Sequence, residues 1–243
     1  GFAPLGIEEA EIQPDFHGIP FTGSIDGRGH MIHHLNIIRG DTLSPGVHRY
    51  VGLFSYNMGE IENLKLKGIR VQGHRYTGSI CGYNTGNIRN CSVTGNIKGG
   101  RITGGITGSN PGLISGSSVN VDLKGGGFTG GVCALCDNIV RDCRVNSSIE
   151  GEENTGGICG KFEYGSISSC NVTGSVIGKK RCGGLVGEGG IQGDVTILNC
   201  VLRGLDITGE AGTGGIVGRG VSFNVRNCQF SGSVSGTNRV GGA

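Results

Sequence analysis

The sequence repeats itself, and the period limits what it can fold into. Units beginning at Val51, Thr77, Thr103, Thr129, Thr155, Cys182 and Thr213 open with VGLFS, TGSICG, TGGITG, TGGVCA, TGGICG, CGGLVG and TGGIVG. Successive starts lie 26, 26, 26, 26, 27 and 31 residues apart, and a truncated unit, VGGA, starts 27 residues later at Val240. Each opening passes through a polar turn into a second segment: IENLKLKG, IRNCSVTG, ISGSSVNV, VRDCRVNS, ISSCNVTG, ILNCVLRG and VRNCQFSG. A fixed period of roughly 20–50 residues is the signature of a solenoid, propeller or array.

Each unit reads as a short strand, a turn, an alternating strand and a Gly-rich turn. Val, Ile, Cys and Thr recur at period 2, which is strand patterning. Glycine, which fills 52 of 243 positions, argues against helix. Each internal glycine would cost a helix about 1 kcal/mol. A single unit cannot bury its own apolar face, whereas stacked units can, with equivalent strands pairing in parallel about 4.8 Å apart. The expected fold is all-β: a single-stranded right-handed parallel β-helix of about eight coils, with 26–31 residues in each repeat. The handedness follows from the crossover rule, and the rod would be roughly 35–40 Å long.

One repeat domain is expected over 20–243, preceded by an irregular lead-in, 1–19. That lead-in carries Glu8, Glu9, Glu11 and Asp15 with Pro4 and Pro14, and is expected to cap the first open coil. Residues 20–38 form a degenerate first coil, and 39–50, with Pro45 and Gly46, form a longer loop. The incomplete unit at Val240 suggests a piece of a longer protein. The net charge of +2 is scattered along the chain, so no electrostatic footprint for nucleic acid is predicted. No run of about 18 apolar residues suggests direct insertion into a membrane.

The pattern FTGSIDGRGHMIHHLNI, followed by VGLFS, IENLKL and repeated TGGIxG…IxNCxVxG units, resembles the GLUG-motif family of bacterial surface proteins. The Gly-Leu-Val/Ile-Gly core stands here as Gly184-Leu185-Val186-Gly187 and Gly215-Ile216-Val217-Gly218. The resemblance spans about 20–243. It implies an exported bacterial cell-surface protein, akin to filamentous-haemagglutinin-like adhesins or to the noncatalytic N-terminal parts of immunoglobulin A1 proteases. It implies no catalytic residue and no cofactor. Its partners would be a host protein or a glycan, and neighbouring domains of the same chain. The zinc motif H-E-x-x-H of the protease members is absent from this sequence.

Ten cysteines would ordinarily suggest a disulfide framework. Here Cys91, Cys143, Cys170, Cys200 and Cys228 share a repeat position with Leu64 and Ser117. Cys81, Cys133 and Cys159 share another with Phe54, Thr107, Val186 and Val217. Positions that alternate with Leu, Phe and Val are core positions, so buried unpaired thiols are expected. Asn57, Asn84 and Asn110 recur in the first turn, where αL geometry and an inter-coil ladder are predicted.

Candidate contact residues are few. Tyr56 and Tyr83 precede two of the ladder asparagines and could stack on adjacent coils as a small sugar platform. The longest insertion, 188–195, offers Glu188, Gln192 and Asp194 for a partner. Glu152 and Glu153 should lie one coil below Lys179, Lys180 and Arg181. Cys133 and Cys136 have half of a zinc spacing, but Cys133, Cys143 and Cys159 fall on core columns. His30 and His34 would lie about 13 Å apart along one strand face, with His33 on the opposite face. No column of carboxylates suggests a β-helical polysaccharide lyase or hydrolase. Aromatics at 5% with no Trp supply little for an extended sugar cleft. A noncatalytic display or spacer module is therefore expected.

Overall fold

The computed structural model describes residues 5, 16, 18–39 and 49–241. The expected acidic lead-in residues and the centre of the loop at Pro45 and Gly46 lie outside the described residues. The described chain is strand and turn with no helix, and every paired neighbour among the strands runs parallel. One coil shows the plan. Cys81–Asn84 leads to Asn87–Arg89, then to the long strand Ser92–Lys98, then to the short strand Ile102–Gly104. The first kind of strand stacks into a seven-stranded sheet and the second into an eight-stranded sheet. The long and short strands form a fifteen-stranded sheet, joined where Val201–Gly214 runs through both. The result is a β-solenoid of about seven turns. The first coil, expected to be degenerate, supplies Ser24–Asp26, Met31–His33 and Asn36–Ile38, and among the described residues it meets the seven-stranded sheet only through the isolated bridge of Phe21 with Asn57.

Strict register stacks like on like. Ile25, Ile61, Ile88, Ile114, Val140, Ile167, Ile197 and Val225 are successive partners in the eight-stranded sheet. Leu66, Val93, Val119, Val145, Val172, Leu202 and Phe230 form a second column on the long strands. From Ile61 to Ile197 the first column is fully buried. Burying each such side chain stabilises the fold by about 1.5–3 kcal/mol before the entropy cost is counted.

The segment expected to be one alternating strand is two strands separated by a corner. The corner residues Asn63, Asn90, Asp142, Ser169, Asn199 and Asn227 have φ between 53° and 57°, and Gly116 in the same column has φ 61°. Left-handed geometry is easiest for Gly, Asn and Asp, whose short polar side chains can hydrogen-bond locally. The expected αL role therefore belongs to this column. Asn57, Asn84 and Asn110 sit at the ends of extended strands instead.

Those three do form the expected ladder. Asn57 Nδ2 donates to Asn84 Oδ1 at 2.7 Å, and Asn84 Nδ2 donates to Asn110 Oδ1 at 2.7 Å. Each Nδ2 also reaches the carbonyl of Gly59, Gly86 or Gly112. The ladder ends at Cys136, toward whose sulfur Asn110 donates at 3.6 Å. All three asparagines are fully buried.

The repeat's glycines are close-approach positions. A Cβ on Gly104, Gly130 or Gly156 would fall 2.0–2.1 Å from the carbonyl oxygen three residues on. A Cβ on Gly82, Gly160, Gly187 or Gly218 would strike the backbone of a short strand belonging to the preceding coil. That second contact lets the seven-stranded sheet fold back against the short strands.

Replacing Asn84 with Ala leaves the Asn57 amide and the Asn110 carbonyl without their partners in a dry core. An orphaned buried group costs about 1–3 kcal/mol. Chemical denaturation of Asn84→Ala should show a loss in that range or above, and an Asn57→Ala variant at the ladder's end a smaller one.

Candidate functional site

The chemically conspicuous residues of the sequence are mostly interior. All ten cysteines are free thiols, nine of them buried and Cys228 half-buried. Cys143, Cys170, Cys200 and Cys228 stack along one corner. Burial raises the Cys81 thiol to about 12 and the Cys91 thiol to about 11. Burial also raises Cys182 to about 12, so these groups stay protonated and unreactive at neutral pH. Cys133 pairs with Cys159 across adjacent coils, with Cys136 beside them, among apolar side chains.

His33 and His34 do not point to opposite faces. His34 adopts φ 52°, which brings the two rings to 6.0 Å between centroids. Among the described residues no group of three or more His, Cys, Asp or Glu side chains is placed to hold a metal ion.

The candidate site is on the outside, where the seven-stranded sheet meets the short strands at a re-entrant corner. Two columns of outward side chains face each other there. The short strands present Tyr50, Tyr76, Ile102, Phe128 and Asn154 in register, followed by Arg181, Gly212 and Arg239. The facing strands present Tyr56, Tyr83, Ser109, Leu135, Lys161, Glu188 and Arg219. The crevice therefore changes character along the rod, from aromatic through apolar to ionic.

At the aromatic end Tyr56 and Tyr83 meet edge-on at 5.1 Å and 75° rather than stacking flat. Tyr50 stacks on Tyr76 at 4.8 Å, and both lie about 6 Å from the Tyr83 ring. Phe16 from the lead-in closes on Tyr50 and Tyr56 at 5.5 and 5.1 Å. Such pairs contribute about 0.5–1.5 kcal/mol each beyond area burial. Burial, then the neighbouring hydroxyls of Tyr56 and Tyr76, push the Tyr83 hydroxyl above its ordinary pKa. The aromatic end is thus largely satisfied by its own members.

At the ionic end Glu188 lies in the strand Val186–Gly189, not in the following loop, and is 6% exposed. Its Oε1 accepts from Arg181 Nε at 3.1 Å and Arg219 Nη1 at 2.9 Å, and its Oε2 accepts from Asn154 Nδ2 at 2.8 Å. Arg181 also donates from Nη1 to Asn154 Oδ1 at 3.1 Å. Arg181 therefore turns into the crevice and leaves the expected acidic pair to the lysines. Lys179 reaches Glu152 at 3.2 Å and Lys180 reaches Glu153 at 4.0 Å, both on exposed side chains. Exposed pairs of that kind contribute about 0–1 kcal/mol.

Gln192 and Asp194 are exposed in the turn after this strand. The turn is pinned from below. Glu163 Oε2 accepts from the N–H groups of Ile191 and Gln192 at 3.0 and 3.1 Å, and Lys161 pairs with Glu163 at 2.8 Å. Ser222 Oγ donates to Asp194 Oδ1. Burial would raise the Glu163 carboxyl, but Lys161 and the two N–H donors outweigh it and hold it below the ordinary range.

Residues 73–98 match the family model described as the GLUG motif. The chain carries the GLUG motif. The matched stretch holds one end-of-strand glycine, the Thr-Gly turn, Gly82 beneath the neighbouring short strand, and the αL corner at Asn90. The GLUG signature is thus the set of residues that closes one coil. Over 77 residues, 32% of this chain, the sequence is 38% identical to halomucin of Haloquadratum walsbyi (strain DSM 16790 / HBSQ001), and the match covers 1% of that protein. The fold is similar to the crystal structure of "a putative immunoglobulin A1 protease" from Bacteroides ovatus, with a TM-score of 0.56 and 21% identity over 89% of this chain and 62% of that one. At that identity the likeness is one of fold. The chain spans less than two thirds of either relative.

Thiol reactivity and proteolysis report on these groups directly. Counting thiols on unfolded, unreduced protein should give all ten, whereas the native protein should react at Cys228 first and slowly; fewer than about eight after unfolding would mean disulfides. For the pinned turn, a depressed carboxyl pKa stabilises above the unfolded value and loses that contribution as the pH falls through the folded one. Limited proteolysis within 190–194 should rise at acidic pH. It should rise about tenfold at neutral pH in Glu163→Ala, as expected for loss of charge-assisted bonds worth ~1.4 kcal/mol locally.

Proposed function

We propose that this chain is a noncatalytic display and spacer module of a larger exported cell-surface protein. The observation that carries the reading is the use of its reactive residue types. The asparagines of the ladder and nine of ten thiols are consumed in stacking one coil on the next. What faces outward is a regular polar rod with variable turns, which suits a module that sets distance and presents surface. The halomucin match and the fold likeness support an extracellular setting. Leu5 pairs with Phe54, and Phe16 packs on the first tyrosines, in keeping with a lead-in that closes the first coil. Contact with a host protein or glycan falls to Gln192 and Asp194 on the pinned turn and to the exposed edges of Tyr56 and Tyr83. Glu188 serves that surface from within by holding Arg181 and Arg219.

A second reading is a noncatalytic part of an immunoglobulin A1 protease-like precursor, which the fold likeness favours. It shares the extracellular placement and the absence of chemistry in this segment.

Antibodies against the turn 190–194 should label intact producing cells as strongly as lysed ones, and the purified module should release no product from acidic or neutral polysaccharides. Labelling confined to lysed cells would contradict the surface placement, and polysaccharide cleavage would contradict the noncatalytic reading.

A further inference from the structure

Cations that lie far apart in the sequence come together on the outward face of the long strands. On Lys65–Gln72 the side chains of Leu66, Ile69 and Val71 are buried, while Lys67 and Arg70 are exposed. Register then stacks Arg70, Asn96, Asp122 and Ser148 in one outward column and Gln72, Lys98, Lys124 and Glu150 in the next. Between these columns is an open depression of about 350 Å³, lined by Arg70, Gln72, Asn96, Lys98, Asp122 and Lys124. That volume is at the small end of the roughly 300–1,000 Å³ typical of ligand sites. Paired strands flank it on both sides, Asn36–Ile38 before it and Arg144–Glu150 after it, so the depression lies within the stack.

The charges of this face do not cancel. Lys124 pairs with Glu150 at 2.6 Å, and Asp122 stands two residues from Lys124 on the same strand. Glu150, and more weakly Asp122, raise the Lys124 pKa, so both carboxylates act on that one lysine. Among the described residues Arg70 and Lys98 have no ion-pair partner, and neither have Lys65 and Lys67 on the strand of Arg70. Lys98 stacks directly on Lys124, about 4.8 Å away from coil to coil. Like charges directly opposite each other destabilise a sheet. Arg70 and Lys98 sit in adjacent coils and adjacent columns, roughly 8 Å apart along the backbone. An anion held between them would offset the repulsion.

Cations, amides and one carboxylate are interleaved around the depression. The amides of Gln72 and Asn96 both donate and accept, and Asp122 accepts. Such a set matches a ligand that carries hydroxyl groups beside an anion. It does not match nucleic acid, because no aromatic side chain lines the depression to stack a base and Asp122 would face the phosphates. Lys65, Lys67 and Arg70 continue along one strand for roughly 16 Å. That run is longer than one sugar ring, so the face fits a polymer better than a single sugar.

We infer that this face binds an acidic polysaccharide, a chain of sugars carrying carboxylate or sulfate groups. Arg70 and Lys98 hold one anionic group between them through charge-assisted hydrogen bonds. Gln72 and Asn96 bond the neighbouring hydroxyls, and Lys65 and Lys67 meet a further anionic group along the chain. The face is separate from the turn 190–194 and from Tyr56 and Tyr83, and it does not depend on contacts made there.

Titration calorimetry on the whole chain at low ionic strength tests it, with polygalacturonate and heparin as probes. Neutral dextran and a single-stranded oligodeoxynucleotide are the comparisons. Saturable binding of polygalacturonate, heparin or both is expected, with none of dextran, and the tighter of the two assigns carboxylate or sulfate as the preferred group. Arg70→Gln and Lys98→Gln should each weaken binding about threefold to tenfold. Both side chains are exposed, so the circular dichroism of these variants should match the parent. Arg203→Gln removes the same charge from the same sheet four coils further on and should leave binding unchanged. No saturable binding of either acidic polysaccharide, equal binding of dextran, or tighter binding of the oligodeoxynucleotide would overturn the inference. So would unchanged affinity when Arg70→Gln and Lys98→Gln are combined, or a loss in Arg203→Gln as large as that in Lys98→Gln.

Discussion

Parallel stacking in register is the constraint on which everything else in this molecule depends. Once equivalent residues of successive coils must pair about 4.8 Å apart, each column tolerates only side chains that can sit on their own kind. Aliphatic residues meet that condition inside, as the unbroken Ile and Val columns show. Asparagine meets it through its two-sided amide, donating to one neighbour and accepting from the other. Cysteine meets it as a small apolar group. Charges are confined to outward columns, where some find a partner in the next coil, as Lys124 does with Glu150 at 2.6 Å, and others, Lys98 on Lys124 and Asp26 on Glu62, stack on their own sign.

The corners follow from the same constraint. A coil must turn sharply several times within 26 residues while keeping its strands parallel to those of the next coil. The left-handed column from Asn63 to Asn227 turns the chain between the second and third strands. The Thr-Gly step and the glycine that follows two residues after the next apolar residue fold the short strand back against the first. These are the positions that define the repeat in sequence, and they are architectural.

Much of this is legible from spacing. Columns predicted from the repeat starts coincide with the paired columns of the structure, including both cysteine columns and the asparagine ladder. Where the structure departs from the spacing, the causes are identifiable. The segment IRNCSVTG alternates well enough to read as one strand, and the corner at Asn90 hides inside it. The signal is present, since that column holds Asn, Gly, Asp and Ser and no β-branched residue. The crevice is not legible, because it arises from two columns facing across a fold. Tyr56 and Tyr83 stand out by their place in the repeat, whereas Tyr50 and Tyr76 lie before the unit boundary and join them only through the tertiary angle. Glu188 reads as a loop residue because the insertion begins at it, yet strand pairing with Lys161 and Arg219 continues through it.

Register stacking, not any local segment, holds this chain together, and native-state hydrogen exchange measures that cohesion residue by residue. Amides bonding between central coils, such as Ile106 to Val132 and Ile158 to Leu185, should exchange slowest and at closely similar rates. Protection should fall toward Gln229–Gly241, whose strand pairs on one side in the structure. Fast or scattered exchange in the central coils, with protection confined to isolated turns, would contradict stacking as the source of stability.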